Sequence, residues 1–152
     1  MGCLFVDRWR KTLPHHRRIP LDTDRSKKLG IEGTNANRYA SDLVAVDEHG
    51  AMFHGDAFDK TNYYIYGRPI YSPSAGVVRA CRNDVPDNEF EGKRIHYPKL
   101  PPEEDNDLGN YVLIDHQDGE YSLIPHMKPG SARVKTGEYI VGQMLGRPYV
   151  GP

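Results

Sequence analysis

Two residues have the type and setting for chemistry: His126 in "EYSLIPHMKPG" and Asp42 in "RYASDLVAVD". A histidine side chain titrates near neutrality and serves as acid, base or metal ligand. Across residues 120–130 an alternating strand runs into His126 and breaks at Pro129-Gly130. By parity Tyr121, Leu123 and Pro125 share one face, and Ser122, Ile124 and His126 share the other. Pattern alone leaves two readings of His126, a catalytic group or a partly exposed residue that merely hydrogen-bonds at a strand end. Asp42 shares its parity with Ala40, Val44 and Val46, which places a carboxylate on an apolar face. Such a carboxylate needs a metal, an arginine or backbone donors to offset its desolvation. A functional Asp42 and a strand-end carboxylate bonded to nearby amides are equally compatible with that pattern.

The other histidines carry less. His15-His16 lie in a basic segment, His49 and His54 flank turns, His96 falls in a Pro-rich stretch, and His116 opens an Asp-Gly turn. None has the helical i,i+4 spacing or the tight His-x-His of a zinc site. Glycine-rich phosphate loops, a nucleophile elbow and paired-cysteine knuckles are absent from the sequence. Cys3 and Cys81 show no pairing pattern.

The elements that must hold these residues read as short strands. The 152 residues fit one domain, and Gly 15, Pro 12 and Tyr 10 with 38% hydrophobic residues favour strands and turns over a helical bundle. Residues 1–36 read as a loosely structured lead-in, and the domain proper as 37–152. "RYASDLVAVDEHGAMFHGD" predicts a strand, a Glu-His-Gly turn and a short second strand. "GRPIYSPSAGVVRACR" is strand-like, with Gly76 permitting a close approach. Residues 83–109 are acidic, Pro-rich and aperiodic, and read as a long surface loop. "NYVLIDHQDGEYSLIPHM" predicts two strands joined at Asp118-Gly119, and "KPGSARVKTGEYIVGQMLG" two more broken at Thr136-Gly137. The expected class is therefore all-β, a barrel or sandwich of short antiparallel strands with long loops.

Net charge is -1, from 20 basic and 21 acidic residues, which points to neither nucleic acid nor an anionic membrane as partner. The start, "MGCLFVDRWRKTLPHHRR", lacks the apolar core of a signal peptide, so delivery by such a signal is not expected.

The stretch "GNYVLIDHQDGEYSLIPHMKPGSARVKTGEYIVGQMLG" is similar to the central region of the lysostaphin-type zinc endopeptidases, which cleave peptide cross-links of bacterial peptidoglycan. That family runs Gly-x-Tyr-Val, Asp-His-Gly-x-Gly, Tyr-x-x-x-x-His-Leu, and Val-x-x-Gly-x-x-Val-x-x-Gly-Gln-x-Ile-Gly. "RYASDLVAVDEHG" and "YGRPIYSPSAGVVRAC" resemble its ligand-bearing strand and the segment that follows, so the likeness spans about residues 37 to 146. The resemblance implies the duplicated hybrid motif, an all-β barrel-sandwich hybrid. It places Asp42 at the aspartate zinc ligand and His126 at the catalytic histidine after the tyrosine strand.

The resemblance also marks departures. Arg38 stands four residues before Asp42, where the family has a histidine ligand. A guanidinium has no lone pair to offer a metal, although it is able to replace one as a cation beside Asp42. The family's His-x-His is expected after "GQMLG", where this sequence reads "RPYVGP". Catalytic zinc takes three protein ligands and an open position for water, and one of the three is recognisable here. Two functions follow as expectations. One is a zinc peptidase domain of peptidoglycan type with an incomplete metal site. The other is a binding or regulatory module on the same fold, with a cell-wall peptide or a protein as partner, for which the tyrosines of "TNYYIYGRP" suit a contact surface. A carrier-domain reading that would use Lys128 is disfavoured, because Pro129 spoils the lysine-bearing hairpin.

Overall fold

The computed structural model describes residues 42–101 and 108–149, together with the backbone of two short strands at 4–5 and 7–10. In chain order the strands are β1 (Leu4–Phe5), β2 (Asp7–Arg10), β3 (Asp42–Leu43), β4 (Ile70–Tyr71), β5 (Gly76–Arg82), β6 (Glu89–Glu91), β7 (Arg94–His96), β8 (Asn110–Asp115), β9 (Glu120–Met127), β10 (Tyr139–Ile140) and β11 (Met144–Gly146). One 3-10 turn, Lys60–Asn62, is the sole helical element among the described residues. The protein is thus all-β. β10, β5, β8, β9 and β2 form one antiparallel sheet in that order, and β1-β3, β4-β11 and β6-β7 are separate antiparallel pairs.

β8 and β9 make the centre, and both of their faces are covered. Val112, Ile114 and Ile124 join Ile70, Val78, Met127, Val134, Ile140 and Leu145 in the larger core. The alternate residues Leu113 and Leu123 pack with Leu108 in a smaller one. A strand covered on both sides has no polar face to alternate with, so β8 reads as a near-continuous apolar run. The hairpin between them turns at Asp118-Gly119, with Gly119 at φ 89° and the His116 amide donating to Glu120 O at 3.0 Å.

Gly76 has a reason to be glycine. A Cβ there would lie 2.5 Å from Asp115 O and 2.7 Å from Ile114 Cγ2, closer than two such atoms ever sit, so β5 meets β8 only with the side chain missing.

Two expectations change. Residues 83–109 are not one loop, because β6 and β7 form a hairpin within them, pairing Glu89 with His96 and Glu91 with Arg94. Its two-residue turn puts Gly92 at φ 59°, the glycine-first arrangement that suits hairpin twist. The apolar face expected around Asp42 is not inward either. β3 is two residues long, and beyond it Val44 and Val46 are 48% and 52% exposed. A strand this short has no second layer above it, so parity stops predicting burial. Within the segment read as a lead-in, β2 pairs along β9, and β1 pairs with β3.

Candidate functional site

His126 sits in a β-bulge. β8 and β9 pair as Val112 with Ile124, and then as Asn110 with Met127, so β9 has one residue more than β8 over this interval. The extra length falls at Pro125-His126, and His126 takes φ 57°, in the left-handed region. That region costs a residue with a Cβ about 1–2 kcal/mol, which the surrounding structure must supply. The supports are visible. The His126 amide donates to Leu108 O at 3.1 Å, and the Tyr149 amide donates to His126 O at 2.8 Å.

The bulge also breaks the parity read from the sequence. Met127, rather than His126, follows Ile124 into the core, and His126 is left half-buried. Bulges recur beside functional sites because they re-aim one side chain while the strand continues. His126→Gly is therefore expected to unfold at higher urea than His126→Ala, by about 1 kcal/mol, since only alanine carries a Cβ into left-handed space. Equal midpoints would mean that the bulge is not held in solution.

Asn110 fixes the same corner from within. Its buried amide donates to Val85 O at 2.8 Å and to Met127 O at 3.1 Å, and its oxygen accepts the Val85 amide at 2.8 Å. One side chain thereby ties the chain at Val85 to the start of β8 and the end of β9. The sequence reading passed over Asn110. Gly-Asn before a strand looks like turn chemistry, and Val85 lies 25 positions away, outside any local pattern.

Asp42 opens β3, opposite Phe5 of β1. β2 runs antiparallel to β9 from Arg10 opposite Glu120 to Asp7 opposite Leu123, so β1, next before it in the chain, falls toward the His126 end of β9. Asp42 thus belongs to a two-stranded pair outside the central sheet, and its partner strand β1 lies against β9. Arg38, and with it the pairing of Arg38 with Asp42, falls outside the described residues.

Around His126 the neighbours are tyrosines and cations. Lys60 Nζ meets Asp87 Oδ2 at 2.7 Å and stands 5.4 Å from the centre of the Tyr149 ring. Lys128 Nζ stands 5.0 Å from the Tyr66 ring centre. Arg147 Nη1 donates to Gly67 O, and the Lys128 amide donates to Arg147 O at 2.8 Å. Burial, with the negative charge of Asp87 beside it, pushes the Tyr149 hydroxyl up to about 12, so it stays protonated. Asp87 Oδ1 is buried without a hydrogen-bond partner among the described residues.

His116 and Ser122 form a Ser–His contact that the spacing alone did not suggest. His116 Nε2 lies 2.8 Å from Ser122 Oγ, and Nδ1 lies 2.7 Å from Ala75 O. A carbonyl only accepts, so Nδ1 carries the proton and, in the neutral ring, Nε2 receives the Ser122 hydroxyl. Ser122 is fully buried, which closes it to any substrate, and the contact clasps the hairpin to the Ala75 turn. Cys81 is half-buried, and burial raises its thiol, so it has none of the thiolate character of a nucleophile.

Among the described residues no group of three His, Cys, Asp or Glu side chains is placed to hold a metal ion. No helix among them is long and apolar enough to cross a membrane. No protein-family model matches the chain, and neither does any curated protein or solved structure.

Proposed function

We propose that this chain carries a lysostaphin-like domain, built on the duplicated hybrid motif, that binds the peptide cross-links of bacterial cell wall without hydrolysing them. The observation that carries the reading is that the β1-β3 pair, which holds Asp42, lies against β9, on which a bulge re-aims His126. Those are the two residues the resemblance assigns to the site, and they lie far apart in sequence. A strained histidine kept at a strand end is a costly feature for a bystander.

The donor set is the reason for proposing binding without hydrolysis. Zinc held for catalysis needs three ligands and an open position. Arg38 offers no lone pair, and the described residues supply no three-donor group. The described residues do not fit the metal. What remains is a polar corner of half-buried tyrosines and cations beside His126, a combination that suits contact with a peptide.

Co-sedimentation with purified, insoluble cell wall tests this directly. The expected result is retention of the protein with no release of free amines, and zinc well below one per chain. Release of amines that a chelator abolishes, with stoichiometric zinc, would overturn the proposal in favour of a working peptidase. Failure to sediment would remove the cell-wall partner and leave a protein as the ligand.

A further inference from the structure

The surface next to His126 holds three cations that no carboxylate neutralises. Arg68, Lys128 and Arg147 have no ion pair among the described residues, whereas Lys60, Arg79 and Arg82 each do. The three are brought together by the backbone. Lys128 and Arg147 face each other across a hydrogen bond, Arg147 reaches Gly67 O, and Arg68 follows Gly67 in the chain with its Nε on Tyr64 O at 2.6 Å. Lys128 stands over the Tyr66 ring, one residue before Gly67.

The carboxylates that might have answered them are engaged elsewhere. Asp87 is taken by Lys60, and Asp47, Asp56 and Asp59 accept hydrogen bonds from their own turns. We propose that Arg68, Lys128 and Arg147 form a docking patch for the carboxylate groups of an acidic peptide lying beside His126. The inference rests on the peptide-binding reading above and names the peptide's chemistry.

The chemistry of the patch chooses among anionic ligands. Ammonium groups already stand over the Tyr66 and Tyr149 rings, so stacking of bases or sugars is not what this surface offers. Charge is what it offers, from two guanidiniums tethered to Gly67 O and Tyr64 O and from the Lys128 ammonium over the Tyr66 ring. The whole chain carries -1, so a long polyanion gains little from the protein's overall field, whereas a short ligand with one or two carboxylates meets only the local cations.

Fluorescence anisotropy with a labelled tetraglutamate peptide, against its tetraglutamine counterpart, reads this out on the full chain. The glutamate peptide is expected to bind more tightly, and Lys128→Ala and Arg68→Ala to weaken it by about twofold to fivefold each, the range for single exposed cations. Lys93→Ala, on the exposed β6–β7 turn, serves as control and leaves binding unchanged. Lys128 makes no side-chain hydrogen bond, so its replacement tests charge without unpicking the fold, and an unchanged unfolding midpoint verifies that. Equal binding of the two peptides, or equal loss with Lys93→Ala, would overturn the patch. Displacement by inorganic phosphate but not by acetate at the same concentration would also overturn it, by reassigning the site to phosphate. Retention on cell wall without carboxylate preference sinks this inference and leaves the domain's reading intact. The preference without retention does the reverse.

Discussion

Asn110→Ala is expected to lower the stability of the domain by about 3–5 kcal/mol, the largest effect of any single side chain proposed here. Alanine would leave the Val85 amide, Val85 O and Met127 O without the partner each has now, in a place from which water is excluded. An orphaned buried group costs about 1–3 kcal/mol, far more than the hydrogen bond gained in forming it. Asn110→Asp is no rescue. It keeps an acceptor for the Val85 amide but loses both donors and sets a charge against two carbonyl oxygens. Urea unfolding gives the magnitude, and hydrogen exchange gives the place: the Val85 amide, protected by Asn110 in the wild type, should exchange faster in Asn110→Ala under native conditions. A variant with an unchanged midpoint and an unchanged Val85 amide would show that the corner holds without Asn110. Because the same side chain anchors Met127, next to the bulge, the loss is expected to reach His126 and weaken retention on cell wall as well.

The sequence made β8 and β9 legible because a central hairpin states itself twice, in apolar runs and in Asp118-Gly119. Gly76 was legible for the same reason, since a glycine among β-branched neighbours signals close backbone approach. His126 was found by type and position, but its geometry was not. Parity assigns it to the core face with Ile124, and a bulge of one residue reverses that assignment without leaving a mark in the composition. The residues after Asp42 depart from the pattern in the opposite direction. The apolar neighbours of Asp42 suggested burial, and Val44 and Val46 are exposed, because alternation describes a face only where another layer lies over it. The hairpin at β6–β7 was hidden by charge, as glutamates and arginines stand where strand-formers are expected, although Gly92-Lys93 carried the turn signal. Asn110, Tyr149 and the Lys60–Asp87 pair depend on partners between 17 and 27 positions away or further, and no window of local pattern contains them.

Two non-glycine residues among those described take left-handed backbone, Gln117 in the β8–β9 turn and His126 at the end of β9. Around the end of β9 lie His126 in left-handed conformation, the buried Asp87 Oδ1 without a hydrogen-bond partner, and Lys128 over the Tyr66 ring. At the other end of β9, by contrast, the polar groups are paired: His116 with Ser122, Asp115 with Arg79, and Glu120 O with the His116 amide. Natural sequences break local rules where function requires it and compensate elsewhere, and the proposal for the His126 corner draws on that contrast.

The compensated end yields the second large effect. Asp115→Ala is expected to cost about 2 kcal/mol near neutral pH, less than a fully buried ion pair because the Arg79 side chain is 57% exposed and returns readily to water. Asp115 itself is buried. Its Oδ2 accepts Arg79 Nε at 2.9 Å and Nη2 at 2.7 Å, and its Oδ1 accepts the Gln117 amide at 2.8 Å, holding Gln117 at φ 65°. Burial pushes this carboxyl up, but Arg79 and the Gln117 amide outweigh it, so it lies below the ordinary carboxylate range in the folded protein. A group whose pKa is depressed on folding stabilises above its unfolded value and loses that contribution as the pH falls through the folded one. The stabilisation from Asp115 is therefore complete above about pH 4 and disappears on further acidification. Wild type and Asp115→Ala should differ at pH 7 and draw together as the pH falls towards 3, while Arg79→Ala leaves the buried carboxylate without its counter-charge and should also destabilise at pH 7. A gap between the wild-type and Asp115→Ala unfolding curves that stayed constant from pH 7 to pH 3 would show that the charge on Asp115 contributes nothing, and that its packing alone matters.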